Sequence, residues 1–205
     1  MDGAMRIPLF PLDVVLFPGA PLPLHIFENR YREMVAECLD GNGIFGVVRA
    51  QRGGLAVIGC TAHILRILER YSDGRMDILC EGIDRFEIET LDNSRTFLQA
   101  EVDLLPDFGE TASRLNREEC LGLHYEALEL AGVEAIYAAL NPADSISFQL
   151  AWSLPADLDF KQELLCLRSD ADRTLRLLEF YKTFLPKLRR GAQASLASSR
   201  NGHVM

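Results

Sequence analysis

The chain has 205 residues, of which 48% are hydrophobic and 25% are charged, and its formal net charge at pH 7 is −9. This composition is typical of a globular protein and excludes an intrinsically disordered chain, while the length leaves room for one large domain or two small ones. The sequence contains no run of about 18 apolar residues that could span a membrane, and prolines and aspartates interrupt its N-terminus, so we expect no secretory signal.

The first part of the chain reads as strands with one helix. Residues 7–12 (IPLFPL) predict an edge strand or a bulged strand, because their two prolines have no N–H to donate to a sheet. Residues 14–17 (VVLF) predict a second strand that Pro18-Gly19 ends. From Phe27 to Leu39 the apolar side chains recur at helical spacing, and glycines at 41 and 43 end this helix.

Short apolar runs then predict further strands. The runs lie at residues 44–48, 56–58, 60–71, 76–80, 86–89 and 97–102. Asp73-Gly74 is the clearest hairpin signal, because glycine adopts the positive φ of a tight hairpin turn at little cost. Several short strands with few helices between them predict an antiparallel barrel or sandwich.

After Pro106 the apolar period changes to that of helices. We predict helices over 113–131, from about 141 to before Pro155, from Asp157 or Asp159 onward, and from Ser169 to a stop at Pro186. The fold class is therefore α+β, with a β-rich subdomain over 5–108, a helical subdomain over 111–186 and a flexible tail over 187–205.

The negative charge is unevenly spread. Residues 1–110 hold 10 basic and 18 acidic side chains, a net of −8. The end of the chain is basic, with Arg176, Lys182, Lys187, Arg189, Arg190 and Arg200. An acidic β-rich half argues against nucleic acid as the partner, because phosphate contacts need clustered Lys and Arg. We attribute the basic end mainly to favourable helix-dipole interactions and solubility.

Known catalytic and metal-binding patterns are absent from the sequence. The cysteines, which are Cys38, Cys60, Cys80, Cys120 and Cys166, form no C-x-x-C pair and are typical of reduced cytoplasmic proteins. We find no P-loop, no G-x-S-x-G and no H-E-x-x-H, so we expect no metal site and no cofactor. His25 and Glu28 could form an acid–base pair, although we favour a structural role for both.

Apolar side chains cluster around the proline-rich opening. Leu9, Phe10, Leu12, Phe17, Leu22, Leu24, Ile26 and Phe27 all lie close to its turns. Some of them must be core. If others line a groove beside an edge strand, an unfolded peptide could pack its apolar side chains there or add itself as a strand.

The chain resembles a known family at several of these residues. IPLFPL at 7–12, VVLFPG at 14–19 and PLHIFENRY at 23–31 look like the opening signature of the Lon protease N-terminal domain, also called the LON substrate-binding domain. The resemblance continues through Ile58 to Ala62, the Asp73-Gly74 hairpin and GIDRF at 82–86, and more loosely through QELL at 162–165 and residues 173–178. It covers about residues 6–186.

The resemblance implies a fold and a function. The family fold is a PUA-like, β-barrel-like subdomain followed by a helical bundle, which agrees with the strands and helices predicted from the residues. In the full protease this domain helps to recognise unfolded or tagged substrates, while other domains supply ATP hydrolysis and a Ser–Lys peptidase. Neither of those two sites is recognisable here. We therefore expect a stand-alone, bacterial-type LON domain that is not an enzyme.

We interpret the chain as a cytoplasmic polypeptide-binding adaptor or holdase in protein quality control. Its expected partners are unfolded or tagged polypeptide and a protease or chaperone, with no membrane, and a homo-oligomer is left open. The residues expected to contact polypeptide are Phe10, Pro11, Phe17, Leu24 and Phe27, with Arg30 and Arg85 as polar anchors or, equally, as structural ion-pair partners. The alternatives are an RNA-binding PUA-like module and a small-molecule enzyme using His25 and Glu28.

Overall fold

The computed structural model describes residues 5–132 and 145–201, and it describes side chains up to residue 191. The chain divides into two compact units. The first comprises Met1–Asp107 and Ala151–Arg168, and the second comprises Phe108–Leu150 and Ser169–Met205. The helices, numbered in chain order, are α1 Asn29–Asp40, α2 Arg114–Leu130, α3 Ile146–Ser153, α4 Leu158–Cys166 and α5 Asp170–Asn201. No helix in the described ranges is long and apolar enough to cross a membrane.

The first unit is built around a sheet. Its strands are β1 Met5–Leu12, β2 Pro21–Ile26, β3 Ile44–Gln51, β4 Gly54–Leu55, β5 Ile58–Arg70, β6 Met76–Asp92 and β7 Gln99–Leu104. Strands β1, β7, β6, β5 and β3 pair in that order, and β3 pairs back with β1, so five strands close into a barrel. The closing β1–β3 pair is parallel, whereas the other pairs in the ring are antiparallel. The predicted α+β fold with a barrel-like first part is confirmed.

Apolar side chains from several strands form a core cluster in the first unit. Its buried members are Ile7, Leu9, Val48, Ala56, Phe86, Ala100 and Val102. Glycine is required beside this cluster because a Cβ at Gly59 would lie 2.5 Å from Phe86 Cζ and 2.5 Å from the Val47 carbonyl oxygen. The bare backbone of Gly59 therefore lets the Phe86 ring pack directly against the strand.

The N-terminal strand prediction needs one correction. Residues 14–17 form no strand, although Leu16 and Phe17 are buried as an apolar segment should be. The strand lies later instead, at β2, where the prolines Pro21 and Pro23 look like turn residues in the sequence. These prolines are compatible with β2 because, among the described strands, it pairs only with β6 and its other edge has no partner.

Helix α4 belongs to the first unit, whereas the sequence-based division grouped its residues with the other helices. Polar contacts tie it to the sheet. The Gln162 amide donates to the Ile58 carbonyl oxygen at 3.0 Å, and Arg49 Nη1 lies 2.7 Å from Asp159 Oδ1. These contacts link residues about a hundred positions apart, which local sequence patterns do not report.

The second unit is helical, and α2 and α5 pack against each other. Ser113 caps α2 by accepting a hydrogen bond from the Asn116 N–H, and Ser169 Oγ accepts one from the Asp172 N–H at the start of α5. Both starts agree with the sequence prediction. The predicted start of α3 at residues 141–144 lies outside the described residues.

Helix α5 is longer than predicted. It continues through Pro186 to Asn201, so the expected stop at Pro186 is wrong. That residues 187–205 form a flexible tail stays a prediction. A proline removes one backbone hydrogen bond but leaves its neighbours helical where tertiary contacts hold them. Leu185 is buried, and Arg189 forms an ion pair with Glu126 on α2, so such contacts lie on both sides of the proline.

Candidate functional site

Two of the expected contact residues are part of the core. Phe10 and Phe17 are 6% and 0% exposed. The Phe10 ring lies 4.0 Å from the ring of Tyr31 on α1. A bound polypeptide cannot reach such side chains without opening the fold. Pro11 is half-buried on β1, where it faces Val48 of β3 in the parallel pair.

Arg85 is a structural residue of the first unit. Its guanidinium is buried and donates hydrogen bonds to the carbonyl oxygens of Leu165 at 2.7 Å and Leu167 at 2.6 Å. It also forms an ion pair with Asp107 at 2.5 Å. These contacts agree with the structural ion-pair role that the sequence left open for Arg85, because a buried guanidinium needs acceptors for its fixed fork of N–H groups.

The His25–Glu28 acid–base pair, which the sequence left open as an alternative, does not form between these two side chains. Glu28 pairs instead with Arg30, whose guanidinium also lies 4.5 Å from the centroid of the Tyr31 ring. His25 donates from Nδ1 to a carboxylate oxygen of Asp77, its partner across the β2–β6 pair. The small-molecule enzyme that used His25 and Glu28 therefore loses the arrangement on which it depended.

Three strands extend one end of the sheet into a structure that we call the arm. It consists of β2, the first part of β6 (Met76–Glu81) and the last part of β5 (Ile64–Arg70). Met76, Ile78 and Cys80 are buried and define its inner face. Because side chains alternate along a strand, the residues between them define the opposite, outer face of the arm.

Two β-bulges turn leucines of β5 onto the outer face. The register with β6 shifts between Ile64 and Arg66 and again between Ile67 and Glu69. In a bulge two residues oppose one partner, so Leu65 joins Arg66 opposite Leu79, and Leu68 joins Glu69 opposite Asp77. Leu65 and Leu68 are 48% and 47% exposed. The outer face therefore carries two large apolar side chains in contact with water.

The outer face continues onto β2 and towards the hairpin. The β2 residues whose partners lie on this face are Pro21, Pro23 and His25, all exposed. The Tyr71 hydroxyl donates to Asp77 Oδ2 at 2.7 Å, and the ring of Phe27, which is 59% exposed, stacks 5.9 Å from the His25 ring. Proline, leucine and aromatic side chains thus form one mixed apolar surface across the arm.

Hydrogen bonds fix the polar centre of this surface. The bonds from His25 and then from Tyr71 lower the pKa of Asp77, and the same bond from its hydroxyl raises the pKa of Tyr71. The three side chains consequently hold the hairpin end against β2. Because its pKa is raised, the Tyr71 hydroxyl stays protonated, and the cluster acts on the surface by positioning these side chains.

The two free edges of the arm are poor templates for a further strand. The alternate residues Pro21, Pro23 and His25 share one side of β2, and two of the three are prolines. A proline fits an edge strand when its missing N–H would face outward. On β5 the residues after Ile64 pair only with β6 among the described strands, and the two bulges interrupt that edge. Both features are typical of edges that resist strand pairing.

The cysteines offer no reactive thiol on this surface. Burial raises the pKa of Cys38 to about 11 and of Cys80 to about 12, and it raises the pKa of Cys60 as well. Cys166 is exposed, and its thiol pKa is also raised, chiefly by desolvation. All five cysteines are free, and a raised pKa leaves the thiol protonated and weakly nucleophilic.

Comparison with known proteins identifies the family. Residues 6–183 match the family described as the ATP-dependent protease La (LON) substrate-binding domain. The chain belongs to this family. The resemblance seen in the sequence is thereby confirmed, and the match covers the LON substrate-binding domain rather than a peptidase domain.

Relatives of this LON domain are named Lon proteases. Lon protease 2 of Syntrophobacter fumaroxidans is 25% identical over 162 residues, which cover 75% of this chain and 20% of that protein. The Lon protease of Porphyromonas gingivalis is 25% identical over 186 residues, covering 81% of this chain and 22% of that protein. The chain thus spans about a fifth of the length of these relatives. That it acts as a stand-alone domain stays a prediction.

Solved structures agree with the assigned family. The crystal structure of a Lon N-terminal domain protein from Xanthomonas campestris has a TM-score of 0.68 and 26% identity, and it covers 85% of this chain and 98% of that one. The N-terminal domain of a Lon protease from the Mycobacterium avium complex has a TM-score of 0.64 at 15% identity, which supports the fold alone.

The sequence-based site and the arm overlap only in part. Phe27 is exposed at the arm, and Leu24 is half-buried on the inner side of β2. Leu65, Leu68 and Leu79 were not expected as contact residues. The signal for Leu65 and Leu68 lies in the run 60–71, because two leucines three positions apart cannot share one face of a regular strand.

Proposed function

We propose that this LON domain is a non-catalytic module that binds unfolded polypeptide, and that the outer face of the arm is its binding surface. The observation that carries the proposal is the pair Leu65 and Leu68, each nearly half exposed on a well-formed sheet. Apolar groups held in water by an ordered backbone are typical of interaction surfaces. A substrate-binding family supplies the class of partner, which is polypeptide.

The binding mode follows from the edges of the arm. Because prolines occupy β2 and bulges interrupt β5, a client has few regular backbone donors and acceptors to pair with. Side-chain packing on the outer face is the alternative, with Pro23, Leu79 and Leu65 forming one row across the three strands. Such packing recognises hydrophobic side chains without requiring a particular sequence, which suits a protein that binds many unfolded chains.

The polar groups of the arm add some selectivity. Asp77 and Glu81 lie on the outer face of β6, and Glu69 lies opposite Asp77 on β5. Arg66 lies on the same face, so both signs of charge flank the apolar side chains. We expect apolar client segments of moderate charge to bind in preference to strongly acidic or strongly basic ones.

The role in the cell extends this proposal. We infer an adaptor or holdase role in proteolysis in the cytoplasm, with a protease or chaperone as the partner. This inference rests on the relatives named Lon protease, of whose length the chain spans about a fifth. The homo-oligomer and the RNA-binding alternative stay predictions. Of the basic residues near the C-terminus, Lys182 and Arg189 form ion pairs with Glu119 and Glu126, which reduces their availability to phosphate.

The test is a binding titration. The full chain is titrated into a fluorescently labelled, permanently unfolded polypeptide and into a folded control protein, and anisotropy is recorded. We expect binding of the unfolded polypeptide only. The double variant Leu65→Ser, Leu68→Ser should weaken it about fivefold or more, because truncating central apolar contacts removes much of an interface's binding free energy.

A matched variant separates this surface from general hydrophobicity. Leu91 on β6 is 49% exposed and lies outside the arm, so Leu91→Ser makes, at equal exposure, the change that each of the two arm substitutions makes. We expect it to bind as the unsubstituted protein does. Equal affinity for folded and unfolded polypeptide would remove the proposed function. A loss of affinity in the Leu91 variant as large as in the arm variant would remove the arm as the surface.

A further inference from the structure

A separate cleft lies at the carboxyl ends of two parallel strands. Strands β1 and β3 run side by side with Leu12 opposite Arg49, and both end close to this pair. The first turn of α4 approaches the same place through the Arg49–Asp159 ion pair. The cleft has a volume of about 760 Å³, and its lining residues are Asp13, Arg49, Ala50, Gln51, Arg52 and Asp159. That volume suits a small ligand or a chain terminus.

Arg49 is the most enclosed charged group of the cleft. Its side chain is 12% exposed, and Nη1 donates to Asp159 Oδ1 at 2.7 Å. Its Nε atom is buried and has no acceptor among the described residues. Buried donors in folded proteins almost always have partners, so this donor is open to an acceptor from outside the described residues.

The Asp159 carboxylate is a weak competitor for Arg49. It is 88% exposed, so water screens its attraction for the guanidinium. A ligand carboxylate in the cleft can therefore share Arg49 with Asp159 or replace it. Planar carboxylates match the guanidinium fork in geometry, which favours them over spherical anions.

A second cation and a carboxylate complete the lining. Arg52 and Asp13 are exposed, and neither makes an ion pair or a hydrogen bond with another described residue. Gly53 has a φ of 99°, so the chain turns directly after Arg52 and returns as β4. The cleft therefore presents two guanidinium groups on one strand end and two carboxylates on the segments that face it.

The two arginines and two aspartates that line the cleft indicate which class of ligand it would bind. A phosphate would meet Arg49 and Arg52 but would also face Asp13 and Asp159, which repel it. A ligand with a carboxylate beside an N–H donor satisfies both signs, since the arginines hold its oxygens and an aspartate accepts from its nitrogen. The α-carboxylate of an amino acid, with its neighbouring amide or ammonium nitrogen, has this chemistry.

We propose that the cleft binds an α-carboxylate, carried either by a free amino acid or by the C-terminal residue of a polypeptide. Arg49 and Arg52 bind the carboxylate, and Asp13 accepts a hydrogen bond from the adjacent nitrogen. The proposal is independent of the arm. It goes beyond binding through exposed apolar side chains, because the cleft would recognise a terminal carboxylate and not hydrophobic side chains.

Calorimetric titration of the full chain tests this proposal with four probes. They are a short uncharged-side-chain peptide with a free C-terminus, the same peptide with a C-terminal amide, free alanine and inorganic phosphate. We expect the free-carboxylate peptide to bind at least about tenfold more tightly than its amide, as loss of a charge-assisted bidentate contact predicts. If alanine binds as tightly as the free-carboxylate peptide, the ligand is a free amino acid. If alanine binds much more weakly than that peptide, the ligand is the C-terminal residue of a polypeptide.

Variants then locate the site. Arg52→Gln should weaken binding of the carboxylate probe about tenfold, and Arg52→Lys should restore part of it, because Lys keeps the charge but loses the fork. Arg190→Gln makes the same change at an exposed arginine on α5 and should have no effect. Equal binding of acid and amide, tighter binding of phosphate, or no binding of any probe at millimolar concentration overturns the proposal. The leucine variants of the arm leave this cleft intact, so the two proposals fail independently.

Discussion

His124 Nδ1 lies 2.6 Å from the hydroxyl oxygen of Tyr181, and both side chains are buried in the contact between α2 and α5. Their rings meet edge to face at 5.9 Å between centroids. Burial lowers the pKa of His124 from its ordinary value of 6.5 to about 4, and it raises the pKa of Tyr181. The pair is therefore neutral at pH 7, and the helical unit folds around an uncharged imidazole.

The buried imidazole makes stability depend on pH. Because the pKa of His124 falls to about 4 on folding, the unfolded chain takes up a proton first as the pH drops below 6.5. The stabilisation is complete above pH 6.5 and is lost between there and pH 4. We expect the free energy of unfolding to be lower by about 2 kcal/mol at pH 5 than at pH 7.5, measured by urea denaturation.

A substitution separates the contribution of His124 to this pH dependence from the contribution of Asp and Glu side chains. His124→Gln should flatten the pH dependence of the free energy of unfolding between pH 7.5 and 5. A pH profile of the His124 variant that is as steep as that of the unsubstituted protein would assign the effect to other groups.

The buried Arg85 gives a second prediction. Arg85→Met removes the guanidinium that donates to the carbonyl oxygens of Leu165 and Leu167. The same change removes the ion-pair partner of Asp107. We expect a loss of about 3 kcal/mol in the free energy of unfolding, because breaking a buried charged network costs several hydrogen bonds. Arg30→Met, at an exposed ion pair with Glu28, should change stability by less than about 0.5 kcal/mol. Similar losses in the two variants would contradict the structural role of Arg85.

Local features of the fold could be predicted from the sequence. The caps at Ser113, Asp157 and Ser169 involve hydrogen bonds to residues three positions ahead, so the signal and its cause lie within one turn. The strands of the barrel show the alternation of a half-buried sheet, for example in β7, where Ala100 and Val102 are buried and Glu101 and Asp103 are exposed. Such patterns need no knowledge of the partner strand.

The features that shape the surfaces depend on distant partners. Phe10 and Phe17 lie in the same proline-rich opening as Phe27, yet only the packing of α1 and the sheet buries two of the three. Leu65 and Leu68 face outward because of bulges in the register with β6, which β5 alone does not specify. The grouping of α4 with the sheet likewise rests on Arg85 and Gln162, each bonded to a residue far away along the chain.

Two glycines provide a matched pair for packing. A Cβ at Gly82 on β6 would lie 2.1 Å from the carbonyl oxygen of Phe17, whereas a Cβ at Gly122 within α2 would meet nothing within 4 Å. We expect Gly82→Ala to lower the free energy of unfolding by about 2 kcal/mol, because the backbone must shift. Gly122→Ala should raise it by about 0.5–1 kcal/mol through helix propensity. Thermal melts report both signs, and destabilisation by Gly122→Ala would contradict the open space on α2.

The prolines of β2 are expected to keep the chain from pairing with itself. In Pro21→Thr, Pro23→Thr the outward edge of β2 gains two N–H donors next to the exposed apolar face, which turns it into a template for another β2 strand. We expect this variant to form dimers or larger species in sedimentation velocity at concentrations where the unsubstituted chain keeps its own state. Pro155→Thr, at an exposed proline between α3 and α4, makes the same change away from the edge and should not associate. An edge variant that sediments like the Pro155 variant would show that the prolines serve the turn geometry of β2 and not its protection.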